Sequence, residues 1–469
     1  MVADPKSIVC DVLIRNGVVL TLDHGRRIFD RGAVAIRGNA IVWVGCDRDV
    51  DDHYRAARVI DAGGGIVHPG FIDAHNHIVH STCRGIFGEG IDPEPDIPFA
   101  TWKADVTSDD EFAATQAAAL EMLRNGFTMY VEPGTAFDCD AVAAATEGVG
   151  IRALLAGCYL WDQIETMRFL GRLDSEVLYR RAPPSLKRCL AGLGSQLHRN
   201  RNPDALVRGY VAVYGLGTAS DELLRAARAA SDEAGVAFHQ HEGYTPEATA
   251  GDEARIGGSR ISRLARVGAL GPRSTLVHMY VLRDRDIAEI RDNGASVIWC
   301  PAAYLQLGIN AGAPIRTPEL VRQGVTVAIG TDGGLNCVIG DGGIAGYLVA
   351  GNVGMPLSPG QILEMQTIKA AQVAGVADLV GSLEAGKRAD VVVRGADLPE
   401  CMPAVNPVHQ LALTMRAGTV DIVLVNGREI VRGGRCVTVN DQQVFAKAQQ
   451  SVRERMGRLG LKARRYWAN

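Results

Sequence analysis

The chain has 469 residues, of which 47% are hydrophobic and 22% are charged, an ordinary globular balance with ample material for a core. This length suits two or three domains, or one large α/β barrel with an attachment. The formal net charge of −4 is small for such a chain and gives no reason to expect nucleic acid or an anionic membrane as the main partner.

The cysteines and the apolar runs indicate the cellular compartment of the protein. The ten cysteines are scattered and include no C-x-x-C pair, a pattern typical of reduced, buried cysteine in a cytoplasmic protein. The first twenty residues show no signal-peptide pattern. No uncharged apolar run reaches the roughly 18 residues that a transmembrane helix needs. We therefore expect a cytoplasmic protein without a membrane partner.

Short strands are predicted near both ends of the chain. The candidates are residues 10–15, 17–22, 32–37 and 40–44, and later residues 390–394, 420–425 and 429–431. Asn16-Gly17 and Gly38-Asn39 are predicted turns, and Asn426-Gly427 predicts a hairpin. We expect residues 1–67 and 388–440 to form one small β-sandwich built from both ends of the chain.

Strands and helices alternate in the middle of the chain. The eight strand candidates are residues 66–74, 127–131, 153–160, 210–214, 236–241, 275–280, 295–300 and 325–329. Between them, Ser108 to Glu111 reads as a capping box opening a helix that stops at Asn125-Gly126, and residues 218–235 and 282–294 read as amphipathic helices. This alternation predicts an α/β fold, a (β/α)8 TIM barrel over residues 68–387, followed by a C-terminal helix in residues 441–469.

The segment 163–208 is longer than one crossover needs. It suits a lid, an oligomer contact or a plain surface insertion.

Histidines cluster where the predicted strands end. His75 and His77 follow the first barrel strand and, being two residues apart in extended chain, point to the same side. Further strand ends carry His239, His241 and Glu242, then His278, and finally Asp332. Barrel enzymes place their chemistry on this rim. Three imidazoles and one carboxylate suit a divalent transition metal, with zinc favoured and iron, cobalt or manganese also compatible.

Several motifs in order along the chain carry a resemblance to a family. They are Pro69 to His77, Arg84-Gly85, Glu121 to Gly126, His239-x-x-Glu242, His278, Cys300-Pro301, Gly330-Thr331-Asp332-Gly333 and Gly381 to Asp390. Together they resemble the amidohydrolase superfamily, in its cytosine deaminase and triazine chlorohydrolase branch.

The resemblance implies roles for the strand-end residues. His75, His77, His239 and Asp332 would hold the metal, and Asp332 would also accept a proton from its water. Glu242 would shuttle protons, and His278 would orient or polarise the attacked group. His241 has the same strand parity as His239 and is a rival for its place, but the His-x-x-Glu spacing favours His239.

The lysines indicate how many metal ions to expect. Binuclear members of the superfamily bridge two metals with a carboxylated lysine on a barrel strand. Here the only lysine between Trp161 and Asp332 is Lys187, in the helical insertion. We therefore expect one divalent metal ion per subunit.

Aromatic residues near the strand ends suggest a flat, largely apolar pocket for a small molecule. Arg84, Trp102, Trp161 and Tyr304 are the candidate substrate contacts. Relatives commonly carry Ser-Asn after Cys300-Pro301, where this chain has Ala302-Ala303, and the loop 333–337 is also unusual. These departures argue against a standard nucleobase or nucleoside deaminase and favour a xenobiotic-type or otherwise atypical substrate.

The predicted function is hydrolysis by a metal-activated water that displaces an amine, ammonia, chloride or thiol from an electrophilic carbon. Hydrolysis of a urea, carbamate, thiocarbamate or amide is the alternative within the superfamily. A non-catalytic barrel scaffold is the alternative from a different class. The resemblance also implies a homo-oligomer.

Overall fold

The computed structural model describes residues 8–87, 97–308, 314–333 and 339–462. The strands are β1 Ile8–Leu20, β2 Ile28–Arg37, β3 Ala40–Cys46, β4 Tyr54–Asp61, β5 Ile66–Pro69, β6 Phe71–Asp73, β7 Phe127–Val131, β8 Arg152–Leu155, β9 Val207–Gly209, β10 Val211–Gly215, β11 Phe238–Glu242, β12 Ser274–His278, β13 Ser296–Trp299, β14 Val327–Ile329, β15 Val391–Arg394, β16 Val420–Val425, β17 Arg428–Arg432 and β18 Arg435–Cys436.

Helices connect most of the central strands. The α-helices are α1 Asp47–Val50, α2 Phe99–Ala104, α3 Ser108–Arg124, α4 Cys139–Val149, α5 Glu176–Arg181, α6 Leu186–Gly192, α7 Asp221–Ala234, α8 Pro246–Ile256, α9 Arg260–Arg266, α10 Asp284–Asp292, α11 Pro301–Leu307, α12 Thr317–Arg322, α13 Asp341–Asn352, α14 Pro359–Met365, α15 Ile368–Val373, α16 Pro407–His409 and α17 Asp441–Arg458. The longer 3₁₀ segments are Ile78–Cys83, Glu165–Leu173 and Leu197–Arg201.

Strands from both ends of the chain form one nine-stranded sheet. Its order is β18-β17-β16-β15-β5-β1-β2-β3, with β4 paired to β1. The hairpin at Asn426-Gly427 is confirmed, since it joins antiparallel β16 and β17. The turn predicted at Asn16-Gly17 is wrong. Asn16 does have a positive φ of 57°, but the register shift beside it bends one continuous strand, and asparagine favours that conformation in a bulge as it does in a turn.

The central strands form two parallel sheets, β6-β7-β8-β9 and β10-β11-β12-β13-β14. Only Tyr210 separates β9 from β10, so the two are parts of one extended run. The ends of β6 and β14 are also joined, because Ala74 N donates to Ile329 O at 3.1 Å and Asp332 N to His75 O at 2.9 Å. Each predicted central strand has a counterpart, and the chain has an α/β fold with parallel sheets.

The predicted strand 66–74 is divided at Gly70. Its first half, β5, pairs with β1 and β15 in the nine-stranded sheet, and its second half, β6, pairs with β7. A Cβ on Gly70 would lie 2.0 Å from Thr128 Oγ1, so the chain crosses between the sheets where no side chain fits. The crossing places His75 and His77 at the far end of β6.

Two predicted helices need small revisions. The capping box of α3 is formed by Thr107 and Asp110, one residue before the predicted pair, because the Thr107 hydroxyl accepts from Asp110 N at 3.1 Å. The predicted C-terminal helix, α17, packs on its own chain, where the Arg455 guanidinium lies 3.9 Å from the Trp102 ring centroid. Residues 463–469 of that prediction lie outside the described residues.

Nine cysteines fall in the described part of the chain, and all nine are free thiols. Within the same residues we find no helix with the length and apolar character needed to span a bilayer.

Candidate metal centre and substrate pocket

Four strand ends bring four imidazoles and one carboxylate together. His77 Nε2 lies 3.3 Å from Asp332 Oδ1 and 3.4 Å from His241 Nε2. His75 Nε2 lies 3.7 Å from the same oxygen of Asp332. His278 joins His75 and Asp332 in a second group whose ligand atoms lie within 4.8 Å of one another. All five side chains are buried.

The backbone at two of these positions is held in an uncommon conformation. Asp332 has a φ of 68° and His278 a φ of 80°. Residues other than glycine rarely adopt such values, which cost of order 1–3 kcal/mol and cluster at functional sites. Asp332 is fixed by two backbone hydrogen bonds, donating to His75 O at 2.9 Å and accepting from His77 N at 3.1 Å. This arrangement aims its carboxylate at the histidines.

His77 and His241 each have one ring nitrogen fixed by a hydrogen-bond acceptor. Thr135 donates its hydroxyl hydrogen to Glu132 Oε1 at 2.6 Å, which leaves its oxygen to accept from His77 Nδ1 at 2.9 Å. His241 Nδ1 donates to Tyr214 O at 2.6 Å. A neutral imidazole carries one ring hydrogen, so both rings present the Nε2 lone pair to the cluster.

His75 is oriented by a histidine. Its Nδ1 lies 3.0 Å from His239 Nε2, and its own Nε2 is buried with no hydrogen-bond partner among the residues described. With the hydrogen on Nδ1 and donated to His239, the Nε2 lone pair of His75 also faces the cluster. A buried nitrogen without a partner costs free energy, and a metal ion would satisfy it. The donor set therefore fits a divalent metal.

The charge states of the cluster also suit a cation. Burial lowers the pKa of His77 and of His278 to about 3 and that of His241 well below its usual range, so these rings are neutral at pH 7. Burial by itself would raise the pKa of Asp332, but the surrounding histidines, His75 and His77 first among them, outweigh it and hold the pKa well below the usual range. Neutral imidazoles and an ionised carboxylate are the forms that bind metals.

The geometry favours His241 over His239 as the third imidazole. The nitrogens of His75, His77 and His241 lie within 4.8 Å of one another, and His239 is not in that group. Both residues point to the same side of β11, but His241 is one pleat closer to the strand end, where Asp332 lies. The His-x-x-Glu spacing that pointed to His239 is therefore misleading here.

Glu242 lies away from the cluster, contrary to its predicted role above the metal. It is the next residue along β11 after His241, so its side chain leaves the opposite face of the strand. There Glu242 Oε2 is 3.2 Å from Arg260 Nε, and both side chains are buried. Burial raises the pKa of Glu242 to about 7. If His241 is the ligand, the residue three positions later is Tyr244, and Tyr244 does line the pocket.

A pocket opens onto the cluster, with about 570 Å³ of empty space when the open solvent at its mouth is included. Its lining residues are His77, Phe99, Lys103, Arg172, Leu173, Tyr214, Leu216, His241, Tyr244, His278, Ala303, Gln306, Leu307, Asp332 and Gly333. Arg172 and Leu173 come from the segment 163–208, which therefore contributes to the pocket wall. Residues 334–337 of the loop singled out from the sequence lie outside the described residues.

The four predicted substrate contacts do not line this pocket. Arg84 forms an ion pair with Glu121 at 2.6 Å in a separate groove. Trp102 is fully buried beneath Arg455, and the Trp161 Nε1–H donates to Ala182 O at 2.7 Å. Tyr304 comes nearest, with its ring centroid 5.7 Å from that of His278. Trp102 and Trp161 are core residues, because large aromatic rings at strand and helix ends fill the space between elements.

Sequence reasoning missed several pocket residues. Tyr214 stands at the end of a correctly predicted strand, so its position was an available signal. Lys103 was detectable as an isolated charge in the apolar stretch around Phe99 and Trp102. The pair Thr135 and Glu132 follows β7, and only the hydrogen bond to His77 reveals its part in the site. The pocket is therefore less apolar than predicted.

These features define an α/β protein with a metal-binding cluster of histidines where parallel strands end. The chain belongs to the amidohydrolase family, whose family model matches residues 66–430.

Similar proteins agree with this assignment. A 5-methylthioadenosine/S-adenosylhomocysteine deaminase from Syntrophobacter fumaroxidans is 28% identical, over 94% of this chain and 98% of its own. A 5'-deoxyadenosine deaminase from Methanosarcina mazei is 25% identical, over 96% of this chain and all of its own. An adenosine deaminase from Xanthomonas campestris, solved with bound zinc, superposes with a TM-score of 0.82 at 24% identity, covering 97% of this chain and 100% of that one. An atrazine chlorohydrolase from Arthrobacter aurescens TC1, solved with zinc, gives 0.78 at 24% identity, covering 94% and 100%.

Proposed function

We propose that the protein is a metal-dependent hydrolase that cleaves a C–N bond of a small molecule with water. The observation that carries this proposal is the cluster of ring nitrogens from His75, His77 and His241, with Asp332 Oδ1 lying 3.7 Å from His75 Nε2 and 3.3 Å from His77 Nε2. We take these four residues as ligands of one divalent metal, with zinc favoured because the similar structures were solved with it.

The proposal includes the arrangement of the fold. We take the two parallel sheets as the two arcs of one (β/α)8 barrel spanning residues 68–387, in which β9 and β10 count as one strand. The nine-stranded sheet, built from strands at both ends of the chain, is then the second domain, and α17 is the C-terminal helix. The similar folds and the hydrogen bonds between the ends of β6 and β14 support this reading. In such a barrel the carboxyl ends of the strands carry the chemistry.

A divalent metal, when bound, would lower the pKa of a coordinated water from 15.7 to about 7. The chain's own groups would do the rest. Asp332 can accept the proton of the attacking water and return it to the leaving nitrogen. Neutral His278, facing the same pocket, can hydrogen-bond the attacked group. Burial raises the pKa of Tyr244, so its phenol stays protonated and can donate a hydrogen bond there.

Deamination of a heteroaromatic amine is the first candidate reaction. The similar curated proteins are named as deaminases of adenosine-type nucleosides, and this supports ammonia as the leaving group. It also weakens the expectation of a xenobiotic-type substrate. Release of chloride breaks a C–Cl bond by the same attack of water on a ring carbon, and it is a variant of this candidate because the atrazine chlorohydrolase has a similar fold.

Hydrolysis of an amide, urea or carbamate is the second candidate, and the position of Glu242 favours it. Adding water to an aromatic ring calls for an acid that protonates the ring nitrogen, and the only carboxyl group among the described pocket residues is Asp332. A carbonyl carbon is already electrophilic and needs one group to move one proton. Asp332 can do so alone.

A metal count with a product assay tests the proposal. The purified chain is expected to hold about one metal ion per subunit and to release ammonia, chloride or an amine from a panel of purines, triazines, ureas, carbamates and amides. Ammonia from the ring compounds supports the first candidate, and amine from the acyl compounds supports the second. Less than a tenth of a metal equivalent together with no turnover would favour a non-catalytic scaffold.

A further inference from the structure

Lys103 is a buried cation in the wall of the candidate active site. It lies on the short helix α2 and is 4% exposed. The pocket that it lines is also lined by His77, His241 and Asp332. A lysine is rarely buried to this degree without a partner for its charge.

Lys103 has no ion pair in the described part of the chain, and the charge of Asp332 only partly offsets the effect of its burial. None of the described carboxylates is in ion-pair contact with its Nζ, and its pKa is lowered to about 8, chiefly by burial. Its one close partner is the ring of Phe99, one helical turn earlier, whose centroid is 5.1 Å from Nζ. A cation–π contact of this kind contributes of order 0.5–2 kcal/mol, well short of the several kcal/mol that burying an ion costs.

The charges around the pocket are unbalanced. Lys103 is a cation that makes no ion pair with a described carboxylate, and Asp332 is the one anion among the described lining residues. Glu242, the nearest other carboxyl group along β11, faces Arg260 on the far side of that strand. Asp332 would be neutralised by the metal that it holds, so the occupied site would carry an excess of positive charge.

We infer that the substrate carries a carboxylate that binds Lys103 while its scissile carbon faces the histidine cluster. This inference deepens the proposed function and rests on it. Phe99, Leu173, Leu216 and Leu307 form the apolar part of the wall. Its further donors are the neutral Tyr214, Tyr244 and Gln306 and the guanidinium of Arg172, which already lies over the Phe99 ring. One buried ammonium therefore suits a carboxylate monoanion better than a phosphate dianion, which needs more donors.

The experiment uses the full chain loaded with zinc and compares two probes of nearly equal shape, benzoate and neutral benzamide, by titration calorimetry at pH 7. The wild-type protein is expected to bind benzoate at least tenfold more tightly than benzamide. Lys103→Met should remove most of that preference and leave benzamide binding within about twofold. Lys103→Arg should retain it, since the charge is kept. Lys187→Met, which removes an exposed lysine, is the matched control and should behave as wild type.

Two results would overturn the inference. One is a wild-type protein with no preference for benzoate, and the other is a preference that persists in Lys103→Met and in Lys103→Gln, which would place the carboxylate on the metal. Metal content, measured on each sample, separates this failure from failure of the proposed function. A wild-type protein that holds zinc but shows no preference for benzoate over benzamide refutes the role of Lys103. A protein that holds no zinc refutes the metal centre.

Discussion

His241 and Glu242 are neighbours in sequence and face opposite sides of strand β11. His241 Nε2 points into the histidine cluster, 3.4 Å from His77 Nε2, and Glu242 Oε2 lies 3.2 Å from Arg260 Nε. The alternation of side chains along a strand makes this unavoidable, because only one of two successive residues can face the cluster. A histidine ligand at 241 therefore excludes Glu242 from the pocket.

The first prediction concerns the third imidazole. His241→Ala should lower bound metal below a tenth of an equivalent, because it removes a ligand from a set of four. His239→Ala should keep a folded site with metal affinity reduced about 10–100-fold, the usual effect of losing a partner that orients a ligand. Metal content after dialysis against a graded chelator series measures both. Greater metal loss in His239→Ala than in His241→Ala would restore His239 as the ligand.

The second prediction concerns the two hydrogen bonds that link His77 to Thr135 and Thr135 to Glu132. Thr135→Val removes the oxygen that accepts from His77 Nδ1, so the ring is free to carry its hydrogen on Nε2 instead. Metal affinity should fall about 10–100-fold. Thr135→Ser keeps the hydroxyl and should bind metal as the wild type does. Equal metal affinities for the valine and serine variants would show that the hydrogen bond to Thr135 does not orient His77.

The third prediction concerns turnover without Glu242. Glu242→Gln should keep kcat within about threefold of wild type, because its side chain lies against Arg260 and outside the pocket. Exposed Glu176→Gln is the matched control. A loss of a hundredfold or more with metal content unchanged would mean that Glu242 reaches the substrate after all.

The fourth prediction concerns pH and follows from the pKa of Glu242, which burial raises to about 7 from 4.5. The folded state therefore binds more protons at this group than the unfolded state between these values. Its contribution to the free energy of unfolding is present below pH 4.5 and is lost as pH rises through about 7, by on the order of 3 kcal/mol at most. Urea unfolding of wild type and Glu242→Gln across this range should show a steeper decline in the wild type. Parallel curves would contradict the raised pKa.

The fifth prediction concerns Asp332. Asp332→Asn removes the carboxylate that would take the proton of the attacking water, and kcat should fall about 10²–10⁴-fold. Circular dichroism should show an intact fold, and the metal content should be measured because asparagine is a weaker ligand. Exposed Asp421→Asn serves as the control. Near-normal turnover in Asp332→Asn would refute the proposed chemistry.

The sequence by itself determined much of this protein. Alternating apolar runs placed the eight central strands, turn residues placed the hairpin at Asn426-Gly427, and the order of motifs identified the family. It also brought out His75, His77, His278 and Asp332, because residues at the ends of parallel strands gather at one edge of the fold.

The tertiary structure alone decided between residues with the same local pattern. His239 and His241 share a strand face, and only the depth of each in the cluster separates them. Glu242 ends strand β11 and Tyr244 follows it, and only the path of the chain shows which one faces the pocket. Lys103 and Thr135 come from remote segments whose approach depends on packing across the whole fold. Local sequence encodes the direction of a side chain along its own element, whereas the neighbour that it meets is set by contacts distant in the chain.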